Sequence, residues 1–446
     1  MEILAFTLGV LAIAVGIILS IALHEIGHLV PAKLFGVRVT QYMVGFGKTL
    51  FSIRRGETEY GVKAIPLGGY VAMIGMYPPQ APGEKPKTSS TGVFQQMSQQ
   101  AREISAAEIR PGDENRLFVQ LPVWKRIIIM LGGPAMNLLI AVVLTGILIT
   151  SFGVNTATTT VSEVYRCVQA VQVAATQDEI AECDDNDPDG PAYAAGLQPG
   201  DTITSFNGVA VESWDELTGL IRQRAGDSTP MTYEREGQQH DTEITPVLTE
   251  RPVVDDLGRT ETDESGDLVT HQVGFVGMGS QVERVQQPVT QTFPVIGQQL
   301  EATFRVIVVL PVRLWDTAQV LITDGERDPN GPMSVVGVGR IAGEAAAMDE
   351  IPLQDRVAML VSLIAGVNIA LMAFNLIPLL PLDGGHVVGA LWDGGRKLWA
   401  KLRGRPRPPT FDISRLLPLT YVVAVALLGM GVLLIVADIF KPVTLN

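Results

Sequence analysis

His24, Glu25 and His28 stand in the run Leu23-His24-Glu25-Ile26-Gly27-His28-Leu29, an H-E-x-x-H spacing. Residues four apart on a helix share a face, so both imidazoles can donate a nitrogen to one Zn2+. Glu25 points about 100° away around the same helix, where it can reach a metal-bound water without blocking the metal. Ionisable groups inside an apolar run are costly to hold, so these three read as functional. Two histidines leave a catalytic zinc one protein ligand short. A second run, Asn375-Leu-Ile-Pro378-Leu-Leu-Pro381-Leu382-Asp383-Gly384-Gly385-His386, offers that ligand. Asp383 sits where an apolar stretch ends, and a buried lone carboxylate needs a cation. His386 is the rival, less favoured because it lies beyond the glycine pair. The plain alternative for Asp383 is a cap or turn residue.

The elements that must carry these residues are membrane spans. The chain has 446 residues, 47% hydrophobic and 18% charged, whereas soluble domains carry roughly 25% charge. Four stretches are long and apolar enough to cross a bilayer, which takes about 20 residues. They are Ile3 to Leu23, Ile127 to Phe152, about Ala358 to Leu382, and Leu416 to Ala437. The first is not read as a signal peptide: Glu2 replaces a basic n-region, and no A-x-A site follows. A fifth candidate, Phe304 to Ile322, carries Arg305, Pro311, Arg313 and Asp316 and reads as an amphipathic helix at the interface.

Charge orients the spans. Residues 153–290 contain no lysine, 7 arginines and 25 acids, whereas basic residues cluster after the first span and at 396–407. By the positive-inside rule, 33–126 and 384–415 are cytoplasmic, 153–356 is outside, and both termini are extracytoplasmic. A net charge of −14 argues against a nucleic-acid binder. Two cysteines cannot build a disulfide scaffold or a Cys-based zinc module. Both, Cys167 and Cys183, fall in the outside region, where a disulfide between them is favoured over free thiols.

H-E-x-x-H in the first span with N-x-x-P-x-x-P-L-D-G-G in a later one resembles the site-2 protease family of intramembrane zinc metalloproteases. Within 158–250, Pro191-Ala-Tyr-Ala-Ala-Gly196-Leu-Gln-Pro199-Gly200-Asp201-Thr-Ile-Thr-Ser-Phe206-Asn207-Gly208 resembles the PDZ signature of bacterial membrane proteases. A single such domain points to the regulator-of-sigma-E protease branch. A further family element is Gly132-Gly133-Pro134-Ala-Met-Asn137 in the second span.

The resemblance implies a metal centre of His24, His28 and Asp383, with Glu25 activating a zinc-bound water. In the family, asparagines corresponding to Asn137 and Asn375 hold the substrate or polarise its carbonyl. The alternative for each is hydrogen-bonding glue between helices. Residues 37–75 read as short strands punctuated by Gly45-Phe-Gly47, Gly56 and Pro66-Leu-Gly68-Gly69. A sheet there could add the substrate as an edge strand, with Gly45, Gly47, Gly68 and Gly69 at the contact; the alternative is a plain cytoplasmic hairpin.

The expected fold is a polytopic α-helical membrane protein of about four transmembrane helices, with a membrane-associated β-sheet and an extracytoplasmic PDZ (α+β) domain. On this reading the chain divides into a first span at 1–36, the sheet at 37–76 and a polar cytoplasmic loop at 77–123. A second span at 124–152 and the PDZ domain at 158–250 follow. A linker with the interfacial helix at 251–356, a third span at 357–390, a basic loop at 391–415 and a fourth span at 416–438 complete it. The expected location is the bacterial inner or plasma membrane. Expected partners are the lipid bilayer, transmembrane substrates such as anti-sigma factors or remnant signal peptides, and a peptide in the PDZ groove, with no nucleic acid. Two other classes stay open: a PDZ-bearing receptor whose zinc is structural, and a zinc transporter. Glu25 favours the enzyme, since a structural zinc has no use for a base.

Overall fold

A computed structural model describes residues 2–76, 109–113, 115–168, 183, 188–252, 269–323, 325, 327–328, 331–406, 408–411 and 413–444. They form two compact units, residues 153–287 and the remainder.

In the larger unit, the first span is one helix, α1 (Glu2–Leu34). It stops where Gly36, at φ 82°, follows its last turn. Val37 N–H donates to Ala32 O and Gly36 N–H to Lys33 O, a glycine-terminated close that satisfies the last carbonyls. Strands β1 (Val39–Arg55) and β2 (Thr58–Met73) follow. Each is bent at the expected glycines and pairs with the other twice. Residues 41–44 lie between 69–72 on one side and 59–62 on the other, while 49–55 pair with 58–63. The sheet therefore runs 69–73, 39–44, 59–63, 49–55, with 69–73 at one edge.

Helix α2 (Val123–Ile147) ends in a π-helical turn, Leu148–Phe152. It crosses α1 antiparallel where a Cβ on Gly27 or Gly132 would collide with the other helix's backbone, so both positions admit glycine only.

The expected polar loop 77–123 lies outside the described residues as far as 108. Its end is not polar loop: Leu117, Phe118 and Val119 are buried with Val37, Val39 and Ile74. Arg38 and Asp113 form a buried ion pair there. Three consecutive apolar side chains are enough to pull this segment onto the core.

The smaller unit begins with β3 (Val154–Val164) and α3 (Pro191–Ala194). Strands β4 (Thr202–Phe206) and β5 (Val209–Ala210), helix α4 (Trp214–Arg222), and strands β6 (Thr229–Arg235), β7 (Gln238–Ile244), β8 (Val247–Pro252), β9 (Thr270–Phe275) and β10 (Met278–Val285) complete it. The main sheet runs β10-β3-β4-β6-β7, with β5 on β4 and a separate β8–β9 pair. Asn207 and Gly208, at φ 54° and 74°, make the two-residue turn from β4 to β5, as the Asn-Gly pair requires. Leu217 and Ile221 turn inward from α4 onto Ile203, Phe206 and Met231.

The domain is wider than 158–250. Strand β10 pairs antiparallel with β3, so residues 269–287, read from sequence as linker, belong to the fold. That pairing is non-local and carries no sequence signal. Cys167 and Cys183 are joined, with Cα atoms 6.0 Å apart. All of the acid-rich stretch 255–267 and most of 178–189 lie outside the described residues.

The larger unit resumes with α5 (Thr292–Ile322), α6 (Val335–Ala347), α7 (Leu353–Asn375), α8 (Asp383–Leu402) and α9 (Leu417–Phe440). Five described helices, α1, α2, α5, α7 and α9, are long and apolar enough to cross a membrane, α5 being the least apolar. The expected interfacial helix 304–322 is the latter part of α5, which begins 12 residues earlier.

Helix α6 is not among the elements expected from sequence; ten of its thirteen residues are Val, Gly or Ala. It is held on α1 by close approach: a Cβ on Gly9 would run into Ala342, and one on Gly343 into Phe6. Helix α7 runs parallel to α1, with Gly16 on Ile364 and Ser20 on Asn368.

The single third span expected at 357–390 is two helices. Pro378 and Pro381 remove donors and clash with a continuing helix, so α7 stops at Asn375 and α8 starts at Asp383. The glycine pair lies in the first turn of α8. A Cβ on Gly384 or Gly385 would strike the backbone of Leu376 or Leu379, so the loop folds tightly over the start of α8. The basic stretch 391–415 is likewise helical as far as Leu402. Exposed Leu391, Trp392, Leu398 and Trp399 alternate there with Arg396, Lys397 and Lys401.

Candidate metal centre

The deep half of α1 carries His24, Glu25 and His28, all buried although they are ionisable. The loop after α7 brings Asp383 to them from 355 residues along the chain. Its Oδ2 lies 3.3 Å from His24 Nε2 and 3.3 Å from His28 Nε2, and the two Nε2 atoms are 3.2 Å apart. Three donors on a tetrahedral zinc with bonds of about 2.0–2.1 Å are separated by about 3.3 Å. The three atoms thus outline one face of a zinc tetrahedron, and the donor set His2Asp suits that metal. His386 is outside the cluster, in the first turn of α8.

Room for an ion comes from α2. A Cβ on Gly133 would lie 2.6 Å from His24 Nε2 and closer still to His28 Nε2, so the missing side chain leaves that volume open. The motif Gly132-Gly133-Pro134-Ala-Met-Asn137 carries the only sequence signal for Gly133, which by itself assigns it no role. His28 Nδ1 donates to Ile129 O at 2.7 Å, which frees Nε2 for a metal. The Asn137 side-chain amide lies 3.1 Å from His24 Nδ1, and Asn137 is fully buried.

Glu25 faces the sheet. A Cβ on Gly69 would be 2.8 Å from Glu25 Cγ, so edge segment 69–73 lies directly against the acid. Tyr42 Oη, from the neighbouring segment, donates to Ala22 O at 2.8 Å and fastens the sheet to α1. Gly45, Gly47 and Gly68, at φ 93°, 83° and 123°, form the bends of the sheet and pack on Ile65 and Phe46. Asn375 is the last residue of α7, half-buried, eight residues before Asp383. Of the ten residues singled out by sequence, His24, Glu25, His28, Asp383, Asn137 and Gly69 come together. Gly45, Gly47 and Gly68 sit further along the sheet, and Asn375 stands at the end of α7.

Residues 12–405 match peptidase family M50. Zinc metalloprotease Rip1 of Mycobacterium tuberculosis is 33% identical over 445 residues, 99% of each chain. Rip1 of Mycolicibacterium smegmatis is 32% identical over 99% of each. Metalloprotease MmpA of Caulobacter vibrioides is 27% identical over 82% of each.

Proposed function

The chain belongs to peptidase family M50 and is a membrane zinc metalloprotease, and from that premise we propose that it hydrolyses a peptide bond inside the transmembrane segment of single-span substrates, with Glu25 as general base. The observation that carries this is the convergence of His24, His28 and Asp383 at tetrahedral spacing, with a fourth ionisable group beside them that is no ligand. His24, His28 and Asp383 hold the zinc. Bound zinc supplies Lewis acidity, polarising a carbonyl and easing the ionisation of water. Glu25 takes the proton of the attacking water and returns it to the leaving amine. A helical substrate hides its amides in i→i−4 hydrogen bonds, so the scissile segment must be opened first. Edge segment 69–73, alongside Glu25, pairs with the freed backbone where no water can. Asn375 is available to hold the substrate.

His24 follows Ile3 by 21 residues, about 31 Å along a helix. With both termini extracytoplasmic, cleavage falls near the cytoplasmic face and the product is released inward. Anti-sigma factors and remnant signal peptides fit such a substrate class. The 153–287 domain acts as an extracytoplasmic PDZ-type filter or peptide dock.

The test uses purified protein and a single-span reporter. Glu25→Gln is expected to retain zinc and lose cleavage, because Gln keeps the size and loses the basicity. His24→Ala, His28→Ala and Asp383→Ala lose metal and activity together. Appreciable turnover by Glu25→Gln removes it as the base, and full zinc content in Asp383→Ala moves the third-ligand role elsewhere, with His386 the next candidate.

A further inference from the structure

The two histidines present Nε2 to the metal position, and each must therefore carry its proton on Nδ1. For His28 the acceptor is a main-chain carbonyl, Ile129 O at 2.7 Å. His24 Nδ1 meets a side chain instead, the amide of Asn137 at 3.1 Å. The oxygen and nitrogen ends of such an amide are nearly isosteric, so hydrogen-bond chemistry decides which end faces the ring. With the amide nitrogen facing it, His24 Nδ1 must be the acceptor. Its proton then sits on Nε2, aimed at Asp383 Oδ2 and His28 Nε2, and no lone pair is left for a metal. With Oδ1 facing the ring, Nδ1–H donates and the Nε2 lone pair joins the other two donors. One end of the amide lacks a protein partner in either orientation, Oδ1 as the atoms stand, so the bond to His24 is what separates the two.

We propose that Asn137 is a positioning residue for the metal centre: its Oδ1 accepts from His24 Nδ1–H, fixing the tautomer and ring orientation that bind zinc. This rests on the zinc-protease reading above but assigns Asn137 to the metal rather than to substrate. Its burial supports the assignment. Asn137 has no exposed surface and lies on α2 one turn after Gly133, the residue whose missing side chain leaves room for the ion. Helix α2 therefore does two jobs within one turn, opening the volume and orienting one of its ligands.

The experiment measures zinc affinity of the full-length protein in detergent, without substrate, by competition with a chromophoric chelator. Asn137→Ala is expected to weaken zinc by about 10–100-fold, the usual effect of removing a ligand's hydrogen-bond partner. Asn137→Asp, which can only accept, stays within about threefold of wild type, since carboxylate–histidine–zinc pairs are a common arrangement. At saturating zinc, KM for the reporter in Asn137→Ala is unchanged. Wild-type affinity in Asn137→Ala overturns the proposal, and with a raised KM it returns the residue to a substrate role. Affinity in Asn137→Asp as weak as in Asn137→Ala overturns it too, because acceptance is then not what matters. Should Asn137→Ala fail to fold, Asn137→Asp decides alone. His28→Ala, run in parallel, must lose zinc; if it binds as wild type does, the metal-centre reading fails, whatever Asn137 does.

Discussion

The two histidines and Glu25 each lie against a glycine whose lack of a side chain matters. Gly133 leaves space at the histidine nitrogens and Gly69 leaves space at Glu25. The second contact yields a prediction that separates metal binding from proton transfer. In Gly69→Ala the new methyl would sit 2.8 Å from Glu25 Cγ, far inside van der Waals contact, and the neighbour able to give way is the glutamate side chain. Zinc content should stay at the wild-type level while turnover falls by at least about tenfold, corresponding to roughly 1.4 kcal/mol in the barrier. Metal analysis beside a reporter assay checks it. Unaltered turnover would mean that the edge segment does not set the position of the acid.

Elements are tied together here by buried charges as much as by apolar contact. Arg126 of α2 pairs with Asp393 of α8 at 2.5 Å, and Lys397 and Phe411 N–H share the same carboxylate. Asp438 near the end of α9 accepts from Arg327, Ser334 N–H and Gly337 N–H, which fixes the start of α6. In the 153–287 domain, Asp201 accepts twice from Arg235, at 2.7 and 2.8 Å, and once from Gln198 N–H at 2.7 Å. Burial pushes the Asp201 carboxyl up, but the Arg235 and Gln198 hydrogen bonds outweigh it and hold the group below the ordinary aspartate range. A carboxyl depressed in the folded state stabilises fully above its unfolded value, about 3.9, and that stability is lost as pH falls through the folded value. The domain should therefore resist proteolysis at pH 6 and open progressively below about pH 4. Asp201→Asn should be weaker at pH 6 by about 2 kcal/mol and show a flatter acid profile. Limited proteolysis of the full-length chain across that range measures both, and an equally steep profile in the variant would exclude Asp201 as the source.

At the scale of the whole chain, the charge asymmetry carries the topology. The positive-inside rule puts the basic residues of α8 on the cytoplasmic side, and on that reading the lysine-free 153–290 region is expected outside. Thiol labelling of intact cells should modify Gln238→Cys, on the exposed strand β7, and should leave Lys401→Cys untouched until the membrane is permeabilised. Cys167 and Cys183 are bonded to each other and give no background. The reverse pattern would invert the orientation and move product release to the outer face.

Local chemistry was legible in the residues themselves. H-E-x-x-H fixes three side chains on one helix because helical periodicity allows nothing else. The apolar runs give the spans, and the Asn207-Gly208 pair gives its turn. Even the bends of the sheet fall at glycines that a left-handed backbone conformation needs. Tertiary structure alone decided what depends on pairs distant in sequence. It joined β10 to β3 and enlarged the domain, and it held the glycine-rich α6 on α1 despite poor helix propensity. It folded Leu117 to Val119 into the core. Above all, it turned Asn137 onto His24, 113 residues away, where sequence had offered only a substrate contact or helix glue. Periodicity and turn chemistry act within a few residues and are written in the string. Which helix faces which, and which buried polar atom meets another, is set by close packing between distant segments, and a single sequence does not state it.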